Sequence, residues 1–403
     1  MSCLLFQCLS FLKEIWPYLM SKSYAAIVGG AAGVALVALS LVLWFCKSHC
    51  KKFSNKNSET GSSDPHASAL EEWNRGGGSS SAPSHPLFGS QGARQFTMDE
   101  LEQATKEFSE SNLIGYGSFG SVYKGLLHDT IVAIKRRRGA PREDFVAEVL
   151  YLSEIRHRNL VSLLGYSQER GSQMLVFEYI PNGNMCNHLY DTGLKTSTKL
   201  EFKQRLSIAQ GAAKGLCHLH GLNPPLLHKN FKTANVLVDE NFIVKVAEAG
   251  ISKLLETIEE AGPSHTSGVN VFQDPEVGVS GNFTEMSDVY SFGVFLLELI
   301  TGQEAMHLGF LGSDESLIEW VASRLNSNNF VDRRLVGSFT TDGIRDLIRL
   351  MLRCMSFPGL ERPKMEMAVV ELERIQEKEM ALTTVMGEGI ATFIKGSELF
   401  TSK

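Results

Sequence analysis

The chain has 403 residues, of which 43% are hydrophobic and 21% charged, enough for one large core or two lobes, so most of it should fold. A formal net charge of -6 gives no overall basic field, and nucleic acid is not an expected partner. The seven cysteines are scattered and odd in number, without the paired spacing of a zinc site, and point to reduced thiols.

Residues 1–23 carry apolar patches interrupted by Lys13 and Glu14 with no basic leader, so a short extracytoplasmic N-terminus is expected rather than a cleaved signal peptide. From Tyr24 to Cys46 the chain runs 23 residues without a charge, long enough at a helical rise to cross a bilayer. A transmembrane helix over 24–46 follows. Lys47, Lys51, Lys52 and Lys56 after it, against Lys13 and Lys22 before it, put the remaining bulk on the cytoplasmic side of the plasma membrane. Gly29 and Gly33 share a helix face with Ala25, a row that suits a homo- or hetero-dimer but is also common in such helices. Cys46 and Cys50 suit either reversible acylation or idle thiols. Residues 47–95, rich in Ser, Gly and Asn, read as a flexible juxtamembrane linker.

At Thr97 a capping box with Glu100 opens a helix, and Phe96 and Leu101 can staple its start. Next comes NLIGYGSFGSVYKG, whose Gly115, Gly117 and Gly120, with Val122 two beyond, would let a hairpin close over phosphates. An alternating run, TIVAIK, ends in Lys135, and a helical stretch, EDFVAEVLYLSEI, carries Glu148. A glycine loop, a strand lysine and a helix glutamate in this order resemble the small lobe of the protein kinases.

The match continues to about residue 376, and phrases such as FTMDELEQATKEFSESNLIGYGSFG and HRNLVSLLGY resemble the plant receptor-like kinase group. The resemblance implies an α+β, two-lobed fold over 96–376, with a β-rich first lobe and an α-rich second one, followed by a tail over 377–403. It implies that Lys135 pairs with Glu148 and grips the inner phosphates of ATP, with Val122, Ala133, Glu178 and Ile180 around the nucleotide and Phe177 as gatekeeper. In HKNFKTANVLVDE it gives Lys232 and Asn235 to the transferred phosphoryl group and a metal, and it anchors that loop on Asp288. Glu276 and Arg362 match the ion pair that supports the large lobe.

Four departures fall on the reaction. Asn230 stands at the position of the catalytic aspartate, and an amide has no basic site to accept a hydroxyl proton. Glu248-Ala249-Gly250 replaces Asp-Phe-Gly; the longer carboxylate suits octahedral magnesium poorly, so Mg binding is weak or absent, and Ala249 lacks a ring that a neighbour must replace. Lys229 replaces an arginine whose fork an ammonium cannot reproduce. Val269 and Val271 stand where a hydroxyl and a glycine are expected.

The sequence thus reads as a single-pass receptor-like pseudokinase that acts on receptor kinases or other signalling proteins as scaffold or allosteric partner, with ATP as a structural ligand. Two alternatives stay open. One is a slow serine/threonine kinase using Glu248 and Asn235 for metal; the other is an interaction module that binds no nucleotide.

Overall fold

The computed structural model describes residues 92–190, 200–258, 270–308, 317–325 and 330–385. Two lobes are present, the first built on a six-stranded sheet and the second on helices. The transmembrane helix is not borne out: among the described residues no helix is long and apolar enough to cross a membrane. The longest, Met365–Val385, carries Glu366, Glu371, Glu373 and Arg374 within its first three turns. Residues 24–46 themselves lie outside the described part, as do Gly29, Gly33, Cys46, Cys50 and Val269.

The sheet contains β1 (Arg94–Gln95), β2 (Leu113–Tyr116), β3 (Ser121–Leu127), β4 (Thr130–Arg138), β5 (Leu163–Glu169) and β6 (Ser172–Glu178), in the order β1-β5-β6-β4-β3-β2. Only β1 pairs in parallel, against β5. Alternation along β4 and β6 divides the core in two. Val132, Ile134, Met174 and Val176 face α1 (Met98–Ala104), where Phe96, Leu101 and Ala104 complete one cluster. Leu175 and Phe177 face the other way, toward α2 (Glu143–Glu154), which contributes Phe145, Val149 and Leu152 at helical spacing.

The capping box that opens α1 is formed. Thr97 Oγ1 accepts the Glu100 amide at 3.2 Å, and Glu100 Oε2 accepts the Thr97 amide at 2.8 Å. Phe96 and Leu101 are both buried beside it.

In the second lobe, α3 (Met185–Leu189) and α4 (Phe202–His220) precede a small antiparallel pair, β7 (Val236–Val238) and β8 (Val244–Val246). Then come α5 (Ile251–Ile258), α6 (Pro275–Ser280), α7 (Glu285–Thr301), α8 (Leu317–Arg324), α9 (Thr341–Cys354) and α10 (Met365–Val385). Every residue of α7 from Ser287 onward is buried, which makes it the axis of the lobe, and it ends on Gly302 in the left-handed region at φ 67°. Helix α10 runs on without a break past residue 376, so the tail begins as part of the folded lobe.

The support of the large lobe differs from the expectation. Arg362 pairs with Asp274, at 2.5 Å from Nη1 and 3.0 Å from Nη2, and not with Glu276. Asp274 caps α6, so its carboxylate already points off the helix end toward the arginine. Glu276, two residues further on in the first turn, accepts the Gly359 amide at 2.7 Å instead.

Candidate nucleotide cleft

The loop from His228 to Asn235 is held from below by α7. Asp288 accepts the amides of His228 and Lys229, each at 2.8 Å, and meets His220 Nε2 at 2.9 Å. This is the anchoring role that the sequence assigned to it. Burial holds His228 below its ordinary pKa, so the imidazole is neutral and its Nε2 donates to Ala247 O at 2.9 Å. That bond joins the loop to the segment bearing Glu248.

Glu248 is the centre of the cleft. Its backbone lies in the left-handed region at φ 66°, uncommon for a side chain of this kind, and the turn aims the carboxylate between the lobes. Oε1 meets Lys135 Nζ at 2.7 Å and the Ser118 amide at 3.2 Å. Oε2 accepts from Ser118 Oγ at 2.8 Å and from Asn230 Nδ2 at 3.1 Å. Asn235 Nδ2 lies 3.5 Å from Oε2 and donates to the Asn230 carbonyl at 2.8 Å. Because a carboxylate only accepts, the amide edge that Asn230 turns toward it has to be the N–H₂.

Burial pushes the Glu248 carboxyl up, but the charge and hydrogen bond of Lys135, aided by Ser118, outweigh it and hold the pKa at about 2. The group is ionised throughout the physiological range.

The glycine loop is folded onto this carboxylate. Gly117 and Gly120 exchange backbone hydrogen bonds at 2.9 and 3.2 Å, closing the turn. A Cβ at Gly117 would stand 2.3 Å from Glu248 Oε1, so only glycine permits the approach, and Gly120 needs its freedom at φ 147° against the Arg136 carbonyl. At Gly115 nothing lies within 4 Å of where a Cβ would be. Val122 sits opposite Lys135, and Ala133 opposite Phe177, on the walls of the cleft.

Lys135 therefore does not meet Glu148. The helix glutamate instead lies 3.0 Å from Lys253 Nζ on α5, aligned as an ion pair without a hydrogen bond to its buried Oε1. Glu178 is likewise occupied, taking the Ser162 amide at 2.7 Å and Lys245 at 2.9 Å, while Ile180 is buried behind it. Lys229 pairs with Glu256 at 2.8 Å. Lys232 is half-buried and has no ion pair among the described residues.

The space left by Ala249 has been taken up. Leu152, Leu160, Leu163, Phe177 and Ile251 close around it and leave a cavity of about 10 Å³, at the lower limit for one water. Leu152 leans so far in that a Cβ at Gly250 would meet its Cδ2 at 2.2 Å. Val271 is buried in the same lobe and offers no hydroxyl.

Three residues of the network were not foreseen. Ser118 lies inside the recognised glycine loop, yet its partner is 130 positions away. Lys253 and Asp274 carried no local signal beyond an acidic helix start at Asp274.

A magnesium nucleotide does not fit the residues as they stand. Both Glu248 oxygens already accept from protein donors, which leaves of the expected pair only the amide oxygen of Asn235, whose Nδ2 donates to the Asn230 carbonyl, to offer a hard cation. Among the described residues no group of three or more His, Cys, Asp or Glu side chains converges on a metal position.

The two lobes, the glycine loop, the strand lysine and the loop anchored on Asp288 together define a protein kinase domain. Residues 108–372 match the protein tyrosine and serine/threonine kinase family, and the chain belongs to it. Within that family its relatives are plant receptor-like kinases. The proline-rich receptor-like protein kinase PERK13 of Arabidopsis thaliana is 38% identical over 315 residues, which cover 74% of this chain and 44% of that protein. An EPD1-interacting receptor-like cytoplasmic serine/threonine-protein kinase of Nicotiana benthamiana is 36% identical, covering 70% of this chain and 64% of its own length. Among solved structures, the pseudokinase domain of BIR2, an immune regulator of the RLK/Pelle family, superposes with a TM-score of 0.59 at 30% identity, over 70% of this chain and 86% of that one. The chain spans 44% to 64% of the length of the curated relatives named here.

Proposed function

We propose that this receptor-like kinase domain is a pseudokinase that works without transferring phosphate, as a scaffold or allosteric partner of active receptor kinases. The single observation that carries the reading is the Asn230 amide, which donates to Glu248 at 3.1 Å from the position where a general base has to accept a proton. Loss of a general base alone costs about 10² to 10⁴ in rate. Here the lysine that should grip phosphate is also committed to Glu248. The likeness to a pseudokinase domain that is described as an immune regulator supports a signalling role, and the names of the other relatives support receptor-like kinases as the company it keeps.

The test is reversion. The domain carrying Asn230→Asp together with Glu248→Asp is expected to regain phosphate transfer from ATP that the parent lacks, because the pair restores both the base and the shorter carboxylate. A parent domain as active as the double variant overturns the reading. Proximity labelling with the full chain is expected to enrich receptor kinases, and a set without any kinase contradicts the partner role.

A further inference from the structure

We infer that Glu248 is a built-in ligand of the nucleotide cleft: its carboxylate occupies the anion position of the glycine loop and Lys135, and metal-free nucleotide phosphate is admitted only when that carboxylate is displaced. The inference rests on reading the domain as a degenerate kinase and adds how its cleft is regulated.

The geometry is that of a bound anion. A backbone amide and a hydroxyl from Ser118, the ammonium of Lys135 and the carboxamide of Asn230, drawn from three separate segments, converge on one carboxylate that is 5% exposed. Loop amides and a lysine are the groups that would otherwise receive phosphate oxygens. They cannot serve two anions at once. Lys135 has one ammonium within a nearly closed site, and a polyphosphate placed beside an ionised Glu248 would be repelled at short range in a poorly screened environment.

The extra methylene of glutamate over aspartate gains a purpose here. It carries the carboxylate up to Ser118, and the bare Cα of Gly117 lets it come near. The position that weakens metal chemistry is the one that fastens the loop. Glu148, released from the strand lysine, is free to pair with Lys253. The altered helix contact and the filled cleft are thus two sides of one rearrangement.

The experiment measures binding of a fluorescent ATP analogue to the purified domain in excess EDTA, so that no divalent cation takes part. Glu248→Gln preserves shape and removes the charge, and it is expected to tighten binding at least tenfold over the parent. The combined Lys135→Met and Glu248→Gln variant should lose that gain, because the freed lysine is what receives the phosphate. Ser118→Ala, which unfastens the loop but keeps both charges, should give a smaller gain and serves as the informative variant where Glu248→Gln does not fold. Adenosine, without phosphate, should show no gain in any variant.

Parent and Glu248→Gln domains that bind the analogue equally would overturn the inference, as would a gain retained without Lys135. Either result leaves the pseudokinase reading standing, since that is decided by transfer and not by binding.

Discussion

Replacing Lys135 by methionine, a routine way to silence a kinase, should here destabilise the fold. The lysine is the only cation within salt-bridge distance of Glu248 among the described residues, and side-chain exposures of 11% and 4% leave little water to take its place. The Glu248 pKa lies at about 2 against an ordinary 4.5, and at about 1.36 kcal/mol per pH unit that difference corresponds to roughly 3 kcal/mol. Breaking a buried pair by removing one partner typically costs about 3–5 kcal/mol, in agreement. In urea, with a slope of about 3 kcal/mol per molar, the midpoint should fall by about 1 M at pH 7. The pH dependence provides a second readout. In the parent, the stability contributed by this depressed carboxyl is fully present above its unfolded pKa and is lost as pH falls through about 2. In Lys135→Met burial is opposed by the remaining hydrogen bonds of Ser118 and Asn230, so the carboxyl pKa rises from about 2 and the loss of stability toward low pH becomes shallower than in the parent. Adding Glu248→Gln to Lys135→Met should recover most of the loss. An unchanged midpoint in Lys135→Met, or a double variant no better than the single, refutes the reasoning.

Three further substitutions test other parts of the account. Asn230→Asp alone sets a second carboxylate about 3.1 Å from Glu248 Oε2, where at an effective dielectric near 20 two unit charges repel by about 5 kcal/mol before relaxation. Its melting temperature should drop more at pH 8 than at pH 5, and equal drops contradict the contact. Arg362→Ala strands the buried Asp274 and should cost about 3–5 kcal/mol, whereas Glu276→Gln, which keeps an acceptor for the Gly359 amide, should cost under about 1.5 kcal/mol; chemical denaturation of both reverses the assignment if the order is opposite. Glu148→Gln should change stability by less than about 1 kcal/mol, since its partner Lys253 is 42% exposed. A large loss in that variant means that Glu148 supports the fold in a way its ion pair does not explain.

Much of the fold could be read from local pattern. Thr97 and Glu100 are three residues apart and their box forms; TIVAIK alternates and becomes β4; the apolar run after Ser287 becomes a helix buried on every side. These depend on periods of two and 3.6 and on caps, which a sequence displays directly. The residues of the cleft were also legible as a set, because Lys135, Asn230, Asn235 and Glu248 stand at recognisable positions. Their pairing was not. Lys135 has a choice between two glutamates, and the outcome depends on how far α2 sits from the sheet, on the reach of one methylene and on a serine 130 residues from its partner. Asp274 displaced Glu276 in the same manner, since two acidic residues lie within one turn and only the backbone at the helix cap decides which one points at Arg362. The transmembrane expectation came from composition over 24–46, and among the described residues, which do not include that stretch, no helix is long and apolar enough to cross a membrane.

The central claim is that this cleft does not move phosphate, and the most direct measurement is transfer of labelled γ-phosphate from ATP by the purified parent domain, with magnesium and separately with manganese, onto itself and onto a general protein substrate. The account predicts label no higher than in Lys232→Ala, whose side chain takes no part in the Glu248 network. Sustained turnover by the parent that Lys232→Ala abolishes would contradict it.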